Sequence, residues 1–198
     1  MNKKYYTLVL LFSAVLFVIG YLYGINIDRN KITESESNID LSGGSYIRMV
    51  YIGSSRCVYS NNSHTHKMVD AIKKRMENIF EETDVKFLST GISTDRSSED
   101  GLDFLKKSGP YDELLLGGGS FNLGVIKYVS GSTSTPKILF YLENFDTELV
   151  GLNMSNFDNS QKLIKMYNGQ FEIEGLNKIL KKSSQESIFK YFDLENRK

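Results

Sequence analysis

The sequence predicts an α/β domain built on a mixed four-stranded sheet with helices on both faces. Two observations lead there. A largely apolar β-rich run, Tyr46–Gly53, is followed by an amphipathic helical pattern and then by a second β-rich run, Val85–Ile92. That strand–helix–strand order implies a parallel pair with a right-handed crossover. Further on, Lys137–Leu142 and Glu148–Leu152 are separated only by the turn Asn144–Thr147, which implies an antiparallel hairpin.

The elements follow in order. Tyr46–Gly53 has the largely apolar character of a buried strand. Ser63 is a plausible N-cap for the helix after it. Met68, Val69, Ile72, Met76, Ile79 and Phe80 recur at spacings of three and four and form one stripe. Val85–Ile92 is the second strand, and Ser93–Gly101 reads as a polar loop. Leu102–Lys107 reads as a short helix stopped by Ser108-Gly109-Pro110. Asp112–Leu116 and Phe121–Val129 read as helical or mixed, broken by Gly117-Gly118-Gly119. A loop, Gly131–Thr135, leads to the third and fourth strands, and Asn153–Gly169 carries no clear pattern. Ile173, Leu176, Ile179 and Leu180 mark a final amphipathic helix, and Lys190–Lys198 reads as a frayed tail.

The N-terminus has a different character. Lys3 and Lys4 precede 20 residues, Tyr5–Gly24, that carry no charge. At 1.5 Å per residue, 20 helical residues span roughly 30 Å, the thickness of a bilayer core. Tyr5, Tyr6, Tyr21 and Tyr23 flank the run as interfacial aromatics do. The alternative is a cleaved signal peptide, but the only alanines are Ala14 and Ala71, and no small-x-small pair closes the run. The expectation is an uncleaved membrane anchor, with the N-terminus cytoplasmic and the rest outside, periplasmic or extracellular. Residues 1–24 are then tip and anchor, 25–45 a polar flexible linker, 46–185 the domain and 186–198 a tail.

Lys plus Arg equals Asp plus Glu, 24 each, so no global charge draws the chain to nucleic acid, and none is expected as a partner. The chain has one cysteine, Cys57, just after the first strand and at or just before the first turn of the helix. Backbone N–H groups there favour a thiolate. One cysteine cannot form an internal disulfide; it can pair with another chain or stay a free thiol.

Cys57-Val58-Tyr59-Ser60 after the first strand, Thr135-Pro136 entering the third, and this element order resemble the thioredoxin-like superfamily over roughly Tyr46–Lys182. Cys57–Ser60 stands where that family places Cys-x-x-Cys, and Thr135-Pro136 where it places a cis-proline beside the active cysteine. The chain departs in having Ser60 for the second cysteine, no tryptophan, and a longer segment from Ser93 to Pro110. The resemblance implies Cys57 as nucleophile, Ser60 donating a hydrogen bond to its thiolate, and Thr135-Pro136 pairing with the backbone of a protein partner. Ser60 cannot resolve a mixed disulfide, so an outside thiol is needed. The alternative is a non-catalytic binding module at the membrane surface on the same scaffold.

No cofactor or metal is expected. His64 and His66 lie near Cys57 but project about 200° apart on a helix; solvent-facing or capping roles suit them better. Gly117-Gly118-Gly119-Ser120 lacks the Gly-Lys-Ser/Thr ending of a phosphate loop. Asp95, Glu99, Asp100, Asp103, Asp112 and Glu113 read as a solvated acidic stretch.

Overall fold

The computed structural model describes residues 44–129, 134–145 and 161–194. Five strands form one sheet: β1 (Gly44–Gly53), β2 (Val85–Ser93), β3 (Glu113–Leu115), β4 (Lys137–Phe145) and β5 (Gln161–Asn168). Their spatial order is β3-β2-β1-β4-β5. β1 and β2 run parallel, as do β2 and β3; β4 is antiparallel to both β1 and β5. The helices are α1 (Ser63–Phe80), α2 (Ser98–Lys106), α3 (Leu123–Tyr128), α4 (Gly169–Lys182) and α5 (Gln185–Tyr191).

The mixed sheet and its first parallel pair agree with the sequence reading, but the sheet has five strands, not four. The extra strand is β3, within a stretch that read as helical or mixed. With three residues it is too short to show an alternation in the sequence. It also changes the meaning of Ser93–Pro110. That segment is the crossover of a second parallel unit, β2-α2-β3, and α2 already starts at Ser98, capped by Ser97. The strand beside β4 among the described residues is β5, drawn from the stretch without a clear pattern. Glu148–Leu152, the segment expected there, lies outside the described residues, as do Tyr5–Gly24 and the proposed linker up to Gly43. Gly44 and Ser45, assigned to that linker, begin β1.

The expected stripe of α1 is buried as a whole: Met68, Val69, Ile72, Met76, Ile79 and Phe80. It packs on one face of the sheet with Ile47, Met49 and Tyr51 of β1, Phe104 of α2, and Ile173, Leu176 and Leu180 of α4. α3 covers the other face, where Val125 and Tyr128 meet Val50, Ile52, Ile92 and Leu139. As far as Leu194 the expected tail is part of the fold: Ile188, Phe189, Phe192 and Leu194 are buried in the main core. Phe192 packs against Phe140 with ring centroids 4.9 Å apart and the ring planes tilted by 56°. In 186–198 the charged Glu186, Lys190, Asp193, Glu195, Arg197 and Lys198 outnumber those four apolar residues, so the stretch reads as solvent-exposed.

A polar ladder crosses the sheet with one residue from each strand. Arg48 of β1 donates to Glu143 of β4 (2.8 Å), Thr90 of β2 (2.8 Å) and Glu113 of β3 (2.7 Å). Gln161 of β5 donates to Glu143 at 2.7 Å. A one-residue slip of any strand would turn its member to the other face, so the ladder holds the register.

Among the described residues no helix is long and apolar enough to cross a membrane.

Candidate functional site

The site lies where β1 ends. β1 runs parallel to β2 up to the pair Gly53–Ser93, and antiparallel to β4 from the pair Ile52–Lys137. One residue beyond that register, Pro136 comes beside the end of β1. The chain past Gly53 therefore emerges between the start of β4 and the end of β2. The Thr135–Pro136 peptide bond is cis.

Cys57 does not sit in the first turn of α1. It opens a separate turn closed by Asn61 N donating to Cys57 O at 2.8 Å. α1 starts later, at Ser63, and its N-cap is Asn62 rather than Ser63, with Asn62 Oδ1 accepting from His64 N at 2.8 Å. The backbone donors near the sulfur are thus those of its own turn, not the helix N-terminus.

The Cys57 thiol is partly exposed and donates to Thr135 O at 3.2 Å. Sequence positions 78 residues apart are brought together here, and with them Ser60, which is completely buried. Ser60 Oγ has no hydrogen-bond partner. Burial is the largest single influence on the thiol and raises its pKa. The Ser60 hydroxyl, the Thr135 side chain and the backbone N–H groups of Ser60 and Tyr59 together outweigh it and hold the thiol below its ordinary value. A thiolate at Cys57 would give the buried Ser60 hydroxyl the acceptor it lacks. Val58 is 81 % and Tyr59 60 % exposed, an apolar rim beside the sulfur.

Behind the turn lies a clamp that the sequence reading missed. Asp95 belongs to the acidic stretch taken as solvated, yet it is buried. Its carboxylate accepts from Ser54 Oγ, Ser55 N and Ser55 Oγ, each at 2.9 Å, and from Ser93 Oγ at 2.8 Å. Burial pushes its pKa up most, but the Ser55 N–H and the three hydroxyls pull it further down, so it stays below the ordinary value. The available signal was the Ser93-x-Asp95 spacing directly after a buried strand, opposite Ser54-Ser55 in a parallel pair. Other acidic residues are also engaged: Asp112 accepts from Ser89 N at 2.7 Å, and Glu113 belongs to the Arg48 ladder.

His64 is exposed, whereas His66 is buried, against the expectation of a solvent-facing or capping residue. Its ring lies edge-on to Phe104, centroids 5.1 Å apart, and neither ring nitrogen has a partner. The two histidines share no site, and among the described residues no three His, Cys, Asp or Glu side chains are grouped to hold a metal ion. Tyr51 Oη is likewise buried without a partner. Burial and then the charges of Tyr111 and Cys57 raise its pKa far above the ordinary value, so it stays protonated.

Gly117, Gly118 and Gly119 all adopt positive φ, between 58° and 75°. They carry the chain from β3 into a short 3-10 turn, and Gly119 N donates to Asp95 O at 3.2 Å. The run serves a backbone turn and touches the clamp behind Cys57.

Among solved structures the chain is similar to the thioredoxin domain of a thiol-disulfide oxidoreductase from Bacteroides vulgatus. That match has 17 % identity and a TM-score of 0.39, and covers 71 % of this chain and 82 % of that one. It is also similar to BsSco, a member of the Sco family of cytochrome c oxidase assembly proteins, described for a disulfide switch. There the identity is 16 % and the TM-score 0.36, with 76 % and 82 % of the two chains covered. No protein-family model matches the chain, and no curated protein matches it. The functional reading rests on the geometry around Cys57, not on these likenesses.

Proposed function

We propose that this chain is a thioredoxin-like, single-cysteine thiol-exchange protein. The observation that carries the reading is the setting of Cys57: a partly exposed thiol at 3.2 Å from Thr135 O, with the buried Ser60 hydroxyl unpartnered beside it. As a thiolate, Cys57 attacks one sulfur of a partner protein's disulfide. The Cys57–S bond forms, the partner's S–S bond breaks, and the other sulfur leaves as a thiolate. Ser60 stabilises the charged sulfur before attack, and the Thr135-Pro136 segment receives the partner's backbone. With no second cysteine in the chain, the mixed disulfide persists until an external thiolate attacks the partner's sulfur and returns Cys57 as the leaving thiolate. Tyr5–Gly24 holds the domain at the outer side of a membrane, periplasmic or extracellular, with the N-terminus in the cytoplasm. Membrane fractionation with intact-mass measurement tests the anchor: a soluble product beginning near Gly24 overturns it.

The chemistry is tested on the full chain by its rate of alkylation against pH. A titration below about 8.5 is expected, together with a persistent adduct on exposure to a small disulfide such as oxidised glutathione. Slow labelling with a midpoint at or above that value overturns the reading.

A second reading, a binding module without chemistry, is favoured by the exposed Val58 and Tyr59. Cys57→Ser separates the two in the native host. Loss of phenotype in a folded, membrane-bound variant excludes the binding-only role; a silent Cys57→Ser alongside a damaging Tyr59→Ser excludes the thiol role.

A further inference from the structure

A carboxylate out of water is costly unless paired or fully hydrogen-bonded. Among the described residues no Lys or Arg forms an ion pair with Asp95; four donors satisfy it instead. Three of those four belong to Ser54 and Ser55, the residues that lead into Cys57. The connection continues through the backbone: Ser54 O accepts from Cys57 N at 3.2 Å, and Ser54 Oγ accepts from Arg56 N at 3.2 Å. Asn61 Nδ2 donates to Ser55 O at 2.8 Å, closing the same turn from its far side.

The other side of the clamp is anchored in the sheet. Ser93, the last residue of β2, donates to Asp95 Oδ2 and accepts from Asp95 N at 3.1 Å. Thr94 N donates to Gly53 O at 2.9 Å, and Gly119 N donates to Asp95 O. The carboxylate thus joins the rigid end of the parallel pair to a turn that has no helix of its own to hold it.

We infer that Asp95 is a positioning residue for Cys57, fixing Ser54-Ser55 so that the sulfur faces Ser60 and Thr135. This rests on the thiol-exchange reading and assigns the machinery behind it. Asp95 makes no contact with the sulfur. By charge alone, a nearby carboxylate disfavours a thiolate, so its removal would help the thiol ionise. By positioning, removal loosens the turn, separates the sulfur from its donors and hinders ionisation. The two roles have opposite signs.

The test is the pH profile of Cys57 alkylation in the full chain with Asp95→Asn, Ser54→Ala and Ser55→Ala. Glu99→Gln, which removes an exposed carboxylate from the same segment, is the control. Positioning predicts that Asp95→Asn moves the titration midpoint up and slows alkylation at pH 7 several-fold. Ser54→Ala and Ser55→Ala shift it in the same direction, and Glu99→Gln leaves it in place. A midpoint that is unchanged or lowered in folded Asp95→Asn overturns the inference. If Asp95→Asn does not fold, the two serine variants decide, and an unmoved midpoint in both overturns it. Failure of the exchange reading is seen elsewhere, as a wild-type chain that forms no persistent adduct with a small disulfide.

Discussion

His66→Leu should stabilise the protein. In neutral imidazole one ring nitrogen donates and the other accepts. Both are buried here without partners. An unsatisfied buried group costs about 1–3 kcal/mol, so the two together cost roughly 2–6 kcal/mol. Leucine removes that cost. It loses the edge contact with Phe104, worth about 1 kcal/mol, and its different shape costs roughly 1–1.5 kcal/mol. The net effect runs from about −0.5 to 4 kcal/mol, centred on a gain of about 2 kcal/mol or several degrees in Tm for a chain of this size. Urea unfolding at pH 7.5 followed by circular dichroism measures it. A second signature lies in the pH dependence. Burial and the Lys107 ammonium hold His66 below its ordinary 6.5. As pH falls through 6.5, the unfolded chain therefore takes up a proton before the folded one does. Stability is full above that pH and declines below it, and the decline shrinks in His66→Leu. A variant destabilised by more than about 1 kcal/mol would refute the reasoning and place a hydrogen-bonded water at the ring.

Other perturbations test other parts of the molecule. Arg48→Met should cost about 3–5 kcal/mol in urea unfolding, because Glu143 stays buried without its cation; Arg48→Met with Glu143→Leu should recover most of that, and a double variant worse than the single would contradict it. Lys73 is buried against Pro110 O and the Tyr111 ring, and burial brings its pKa down to about 8. The unfolded chain keeps that proton up to about 10.5, so stability should rise between those two pH values by roughly 3 kcal/mol or less, and Lys73→Met should flatten the rise. Gly53→Ala would place a methyl 2.5 Å from Phe104 Cζ. The expected loss is about 1–3 kcal/mol, largely rescued by Phe104→Leu; no rescue would place the clash at Tyr51 Oη, 2.9 Å from the same methyl.

The sequence by itself determined the class of fold and that the thiol follows the first strand. The stripe of α1, the apolar runs of β1 and β2, and the positions of Cys57 and Pro136 are local patterns, and burial acts on local periodicity. It also determined that no second thiol stands in Cys-x-x-Cys register, since Ser60 occupies that place. The tertiary structure decided the rest. β3 is a strand because β2 lies beside it, not because three residues prefer to be extended. Ile188, Phe189, Phe192 and Leu194 are core because Phe80 and Phe140 offer Phe189 and Phe192 a surface. Asp95 is a buried clamp and not a loop charge, because the register of β1 and β2 sets Ser54 and Ser55 opposite it. Whether a polar side chain is solvated or satisfied internally depends on partners some 40 residues away, and no local window of the sequence contains them.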